Sequence, residues 1–393
     1  MQKFTFYSPT KVVFGKDAEL STADEIKKAG GSRVMIVYGS GSVVKSGLLD
    51  RIRQQLEKAG LPYTLLGGVK PNPLLSLART GVAQAVGFQA DFILAVGGGS
   101  AIDTAKGIAI GAANPGTDLW KFWAREAEAS KALPVGAVLT ISAAGSETSD
   151  SAVLTNDETG SKRGLGTELN RPRFAVMNPE LTYTLPKYQI MCGIVDIMMH
   201  TLDRYFTPLT GNELTDGIAE TLLRVVIKNG AVAMENPSDY QAMSELMWCG
   251  SISHNGLTGL GGVNDFATHQ LGHELSAKFD VAHGASLSAV WGSWAEYCHT
   301  VKPERFAQFA KNVWDIEKGS VKESAMAGIE RTVSYFASIG APTCFTELGV
   351  GVQGEEALRE LAERCMYYGK RKIGQFKVLD QEDAYRIYQL ANR

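Results

Sequence analysis

The sequence predicts an α/β dinucleotide-binding domain followed by an all-helical domain, and three observations carry that expectation. Up to about residue 185, short β-rich runs alternate with helical stretches, the pattern of a parallel sheet covered on both faces. Beyond Pro186 the apolar residues recur at helical spacing and no convincing strand is found. Between the last residues of one buried apolar run and the helix after it stands a triple glycine, Gly97 to Gly99. At 393 residues the chain fits two domains on a prior of about 100–200 residues each, here 1–185 and 186–393.

The elements follow in order. Strands are expected at Arg33–Tyr38, Tyr63–Leu66, Asp91–Val96, Val135–Thr140, Ala152–Thr155 and Phe174–Met177, with helices near Lys45–Ala59 and Leu75–Val86. The second half reads as long helices, with a glycine-rich loop or close helix–helix approach at GLTGLGGVND (256–265). Composition sets the class: 45% hydrophobic and 21% charged residues suit a globular enzyme with large cores. A net charge of -3 gives no electrostatic case for a nucleic acid or membrane partner. The first residues, MQKFTFYSPTKVVFG, lack the apolar run of a signal peptide, and no segment approaches a membrane span. Five scattered cysteines without a C-x-x-C read as the reduced thiols of a cytoplasmic protein.

The glycine turn in DFILAVGGGSAIDTAKGIAIGAA lets backbone approach a ligand closely. A helix from about Ala101 would then offer free N–H groups to a pyrophosphate. Ser100 and Asp103 also fit a capping box, which is compatible with a phosphate on the backbone. The turn matches neither G-x-G-x-x-G nor the P-loop, so alone it is a weak signal.

The chain has six histidines, and three of them fall into a metal-like set with one acid. Asp196 and His200 in GIVDIMMHTLDRYF share a helical face at i and i+4. His269 and His283, fourteen residues apart, need a second helix and the turn after it to meet that pair. Mixed imidazole and carboxylate ligation suits zinc or ferrous iron better than calcium or magnesium. For any one of these histidines a structural role is the commoner fate. A cofactor in one domain and a metal in the other would put the reaction in the cleft between them.

Taken together, GGGSAIDTAK (97–106), TISAAGSETS (140–149), the D-x3-H at 196–200 and the H-x3-H-x9-H at 269, 273 and 283 resemble the iron-containing, or type III, alcohol dehydrogenases. The resemblance runs essentially the whole chain. YGSGSVVKSGLLD (38–50) and ATHQLGHELSA (267–277) make it most similar to the butanol dehydrogenase and broad-range aldehyde reductase branch. It implies a divalent metal, ferrous iron or else zinc, held by Asp196, His200, His269 and His283, acting as a Lewis acid on the oxygen of an alcohol or aldehyde. It implies hydride exchange with a nicotinamide cofactor, in a cytoplasmic homodimer. His273, one turn beyond His269, is implied as a proton relay or substrate contact, with packing an equal alternative. His254 and His299 match no motif and are expected to be structural.

For the cofactor, the resemblance implies that Asn72 lies near the nucleotide and that Gly97, Gly98, Gly99 and Ser100 hold the pyrophosphate, with Asp103 part of that site. Thr140, Ala144, Ser146 and Lys162 would line the nicotinamide and ribose side. Ordinary turn chemistry for Thr140 and Ser146, and a solvated surface position for Lys162, are the alternatives. At the end of the first strand come Gly39, Ser40, Gly41 and Ser42, with no carboxylate. An acid there would accept the ribose hydroxyls of NAD and repel a 2′-phosphate, so the expected cofactor is NADP. The alternatives are an NAD-preferring alcohol dehydrogenase of the same family, or a non-catalytic nucleotide- and metal-binding protein. The aromatics of DLWKFWAREAE (118–128) and Phe266 either border a substrate pocket or belong to the core.

Overall fold

The computed structural model describes residues 2–39 and 41–393. Two compact units divide at Leu185 and Pro186, and the residues up to Phe6 group with the second unit rather than with the sheet.

The first unit is built on six parallel strands: β1 (Lys11–Phe14), β2 (Val34–Gly39), β3 (Tyr63–Val69), β4 (Phe92–Gly97), β5 (Val135–Leu139) and β8 (Phe174–Met177). Their order is β1-β8-β5-β4-β2-β3, and every neighbouring pair runs parallel. Central strands such as ILAV in β4 are continuous apolar runs because both faces are covered. One face packs Ile36, Leu94, Val96, Val138 and Val176 against Ile26, Leu48, Ile52 and Leu56 from the helices before and after β2. Each such side chain, fully buried, contributes about 1.5–3 kcal/mol. The chain leaves β2 for β3 on one side and returns to β4 on the other. That reversal opens a crevice at the carboxyl ends of β2 and β4, the place where open α/β sheets bind ligands.

Three expectations need correction. The helix expected near Lys45–Ala59 is two pieces, Ser42–Lys45 and Leu48–Ala59, because Gly47 turns left-handed between them at φ 71°. β1 was not expected; it is a half-exposed edge strand of four residues, KVVF, too short to announce itself. The strand at Ser151–Asn156 (β6) stands outside the parallel sheet and pairs antiparallel with β7 (Ser161–Gly166). Of the two places expected for the aromatics of residues 118–128, Phe122 and Trp123 take the core: with Leu119 they pack with Leu75, Ile110 and Leu154, and Trp123 Nε1 donates to Ala152 O at 3.0 Å.

The second unit is helical from Lys187 to Ala391. Residues 256–265 form a loop around a short 3-10 turn, Leu257–Gly259. Among the described residues no helix is long and apolar enough to cross a membrane, and all five cysteines are unpaired.

Candidate metal centre and dinucleotide site

The helix Lys187–Tyr205 brings Asp196 and His200 onto one face, both buried at 4% exposure. His269 and His273 lie on the helix Ala267–Phe279, and His283 opens the next helix, His283–Cys298. The two helices that carry Asp196 and His283 meet closely: a Cβ on Gly284 would stand 2.1 Å from Cys192 O, so only glycine fits beside His283.

These elements converge on one point. Asp196 Oδ1 lies 3.2 Å from His200 Nδ1, 3.7 Å from His269 Nε2 and 3.8 Å from His283 Nε2. The ligand atoms of Asp196, His200 and His269 all fall within 4.8 Å of one another. Metal–nitrogen and metal–oxygen bonds of about 2.0–2.2 Å in a tetrahedral site set ligand atoms roughly 3.3–3.6 Å apart, so the spacing fits a divalent ion. Polar satisfaction points the same way. Asp196 Oδ1, His200 Nδ1 and His269 Nε2 are buried and make no hydrogen bond of normal geometry within the protein, a costly state unless a ligand takes them up.

The electrostatics divide the two fully buried imidazoles. Burial, then His254, His269 and Arg204 nearby, hold the His200 pKa well below the usual histidine value. Burial also opposes charge on His269, but the Asp196 and Asp203 carboxylates outweigh it and raise that pKa. A neutral His200 keeps lone pairs available for a metal. His273 lies beside the cluster, its ring centroid 5.2 Å from that of His283 and 6.3 Å from that of His269. Phe266, left-handed at φ 52°, walls the cluster with its ring 5.2 Å from His269 and 6.4 Å from His200, under the Arg204 guanidinium at 4.8 Å. His299 is a packing residue, its Nδ1 2.8 Å from Glu296 O.

In the first unit, β4 ends at Gly97 and the helix Gly99–Ala113 begins almost at once. The capping box expected of Ser100 and Asp103 is not formed: Gly98 is the N-cap and no side chain caps this helix. The first helical bonds run from Ala101 and Ile102 to Gly98 O, so the amides of Gly99 and Ser100 lie ahead of them, where N–H groups have no partner within the helix. Asp103 instead accepts from Ser146 Oγ at 2.5 Å and from the Val153 amide at 2.9 Å. The 140s segment is thereby folded over the turn. Thr140 N donates to Gly97 O at 3.1 Å, and a Cβ on Gly99 would lie 3.2 Å from Ala144 Cβ. Asn72 and Lys162 also meet, Lys162 Nζ donating to Asn72 Oδ1 at 2.9 Å, so Lys162 is buried rather than solvated. Gly39 and Gly41 stand at the end of β2, beside β4 in the sheet. Ser42 opens the short helix after them, and Ser40 lies outside the described residues.

Gly98 has a packing reason to be glycine, since a Cβ there would stand 2.2 Å from Ile141 Cγ2. Gly98→Val should therefore cost about 1–3 kcal/mol of stability by overpacking, in addition to any loss of cofactor affinity. A melting curve run beside an NADP titration separates the two. An unchanged Tm with unchanged affinity would contradict both readings.

Three residues were not legible beforehand. Lys106, 1% exposed, donates to the carbonyls of Ser146, Ser149 and Ser151 at 2.7, 3.1 and 2.7 Å, and burial pulls its pKa down to about 8. Asp203 meets His269 Nδ1 at 2.5 Å. His254 stacks on His200 with ring centroids 4.0 Å apart. Asp203 left a trace in the sequence, two helical turns beyond Asp196, and Lys106 closes the GGGSAIDTAK motif, but neither position announces its partners.

Residues 9–179 match the family model described as iron-containing alcohol dehydrogenase, and residues 190–392 match the C-terminal model of the Fe-containing alcohol dehydrogenase family. The chain belongs to the iron-containing alcohol dehydrogenase family. Among family members, it is 39% identical to NADH-dependent butanol dehydrogenase A of Clostridium acetobutylicum, over 99% of each chain. It is 35% identical to the NADPH-dependent aldehyde reductase YqhD of Escherichia coli, over 100% of each chain. Among solved structures, NADH-dependent butanol dehydrogenase A from Thermotoga maritima superposes with a TM-score of 0.96 at 35% identity, covering 100% of this chain and 99% of that one. The expected fold class and the resemblance to the butanol dehydrogenase and aldehyde reductase branch agree with these relatives.

Proposed function

We propose that this enzyme exchanges a hydride between NADP(H) and a primary alcohol or aldehyde of butanol or butanal type, with a divalent metal required for turnover. The observation that carries the reading is the convergence of Asp196 Oδ1, His200 Nδ1 and His269 Nε2, with His283 Nε2 3.8 Å from Asp196 Oδ1. These four residues would hold Fe2+, or Zn2+ in its place, since the donor set accepts both. When bound, such an ion supplies Lewis-acid polarisation of a substrate oxygen. His273, one turn beyond His269, is the group proposed to pass a proton or contact the substrate, and Phe266 excludes water from one side of the cluster.

The dinucleotide is assigned to the crevice at the ends of β2 and β4. The amides of Gly99 and Ser100 take the pyrophosphate, and Gly97 and Gly98 keep the approach open. Asn72 lies near the nucleotide, Asp103 belongs to the pyrophosphate site and holds Ser146 in place, and Thr140, Ala144, Ser146 and Lys162 line the nicotinamide and ribose side. For the ribose, Gly39 to Ser42 offer no acid to a 2′-hydroxyl, and two lysines support a 2′-phosphate. Lys70 follows Val69, the register partner of Gly39, and the Lys45 side chain lies 4.0 Å from where a Gly41 Cβ would be; both lysines are exposed. NAD preference is the second reading, favoured by the names of the butanol dehydrogenase relatives. The homodimer and the cytoplasmic location implied by the resemblance belong to the same proposal.

Initial rates of butanal reduction, followed at the nicotinamide absorbance band with NADPH and with NADH, test it. Turnover with NADPH favoured by tenfold or more in kcat/KM is expected. A preference for NADH would overturn the choice of cofactor, and no turnover on any aldehyde of a C2–C8 series would overturn the substrate class.

A further inference from the structure

The helix Lys187–Tyr205 carries a second acid on its inner side, Asp203, which is 1% exposed. Its Oδ2 accepts a hydrogen bond from His269 Nδ1 at 2.5 Å. Its Oδ1 is buried with no hydrogen-bond partner, so among the described residues His269 is the only side chain to which Asp203 is bonded. A buried carboxylate with a single side-chain bond costs stability, and fold stability alone gives no reason to keep it. The main chain at this position has its own task, because Asp203 O accepts from the Asp265 amide at 2.7 Å. That bond survives any change of the side chain.

The imidazole has two ring nitrogens, and the bond one makes fixes what the other offers. With the Nδ1 hydrogen engaged by Asp203, the second nitrogen, Nε2, is left to present a lone pair. It faces Asp196 Oδ1 at 3.7 Å, inside the cluster that also holds His200 Nδ1. We infer that Asp203 is a positioning residue of the metal centre: it holds His269 as the Nδ1–H tautomer and fixes the ring so that Nε2 points at Asp196 and His200. This rests on the metal reading proposed above. Asp203 touches neither substrate nor cofactor, and it acts only through His269.

The test measures metal affinity, without turnover. Metal-stripped wild type, Asp203→Asn, Asp203→Ala and His283→Ala are titrated with Zn2+ against a competing chelator, and with Co2+ for its visible absorption band. Circular dichroism and NADP binding report folding. Asp203→Ala should bind Zn2+ about 10–100-fold more weakly than wild type while binding NADP normally. Asp203→Asn, whose amide oxygen still accepts from Nδ1–H, should recover part of that loss and shift the cobalt band. If Asp203→Ala fails to fold, the asparagine variant decides: wild-type affinity with an unshifted cobalt band overturns the inference. Affinity within twofold of wild type in a folded Asp203→Ala overturns it as well. The His283→Ala arm keeps the two ideas apart. Loss of metal there with none in the Asp203 variants sinks only the role of Asp203, whereas wild-type affinity in His283→Ala sinks the ligand set itself.

Discussion

His283→Ala should leave a folded protein that has lost most of its metal and about three decades of kcat/KM, while its affinity for NADP is unchanged. The magnitude follows from removing Lewis-acid assistance worth about 4–5 kcal/mol, at about 1.4 kcal/mol per decade. The nucleotide half of the expectation follows from where the residues stand. His283 and the other three candidate ligands belong to the helical unit, and the glycine turn belongs to the sheet unit. His269→Ala should lose as much activity, but it is the less clean variant. It leaves Asp203 buried without its hydrogen-bond partner and empties a fully enclosed position, so stability falls too. His283, with its side chain 26% exposed at the start of a helix, gives way with less damage. Metal analysis and kinetics on the same preparation check the result. Full metal content with normal turnover would remove His283 from the site.

Gly39→Asp should weaken NADPH by about one to two decades and leave NADH unchanged or improved. The carboxylate would stand where a 2′-phosphate is proposed to lie, and repulsion between like charges in a partly desolvated crevice is worth roughly 1–3 kcal/mol. It would accept hydrogen bonds from the free ribose hydroxyls of NAD. The backbone tolerates the change: Gly39 is outside the left-handed region, and a Cβ there meets only Val69 O at 3.7 Å, an ordinary contact. A loss shared equally by both cofactors would therefore mean that Gly39 does not face the ribose. Steady-state constants for both cofactors, wild type beside variant, give the answer.

Much of this was open to reading because the relevant patterns are local. Continuous apolar runs such as FILAV announce strands buried on both faces, and D-x3-H and H-x3-H place pairs of side chains on single helical turns. The failures share a cause, which is dependence on distant chain. β1, KVVF, is only four residues long and half exposed, and β7, SKRGLG, is polar and glycine-bearing, so neither stands out as a strand; each exists because a partner strand supplies its hydrogen bonds. Lys106 looks like a solvated lysine until the 146–151 segment closes over it with three carbonyls. The capping box at Ser100 and Asp103 failed because Ser146 and the Val153 amide, more than forty residues away, hold the carboxylate. His254 meets His200 only once two helices are packed, and nothing in its neighbours in sequence marks it.

The central claim is that one divalent ion, held by Asp196, His200, His269 and His283, is required for NADPH-dependent aldehyde reduction. The most direct measurement is an anaerobic titration of the metal-stripped protein with Fe2+, reading butanal reduction by NADPH at each addition. The account predicts negligible rate without metal and a linear rise that breaks at one ion per chain. Full turnover by the stripped protein, or a rate indifferent to added metal, would contradict it.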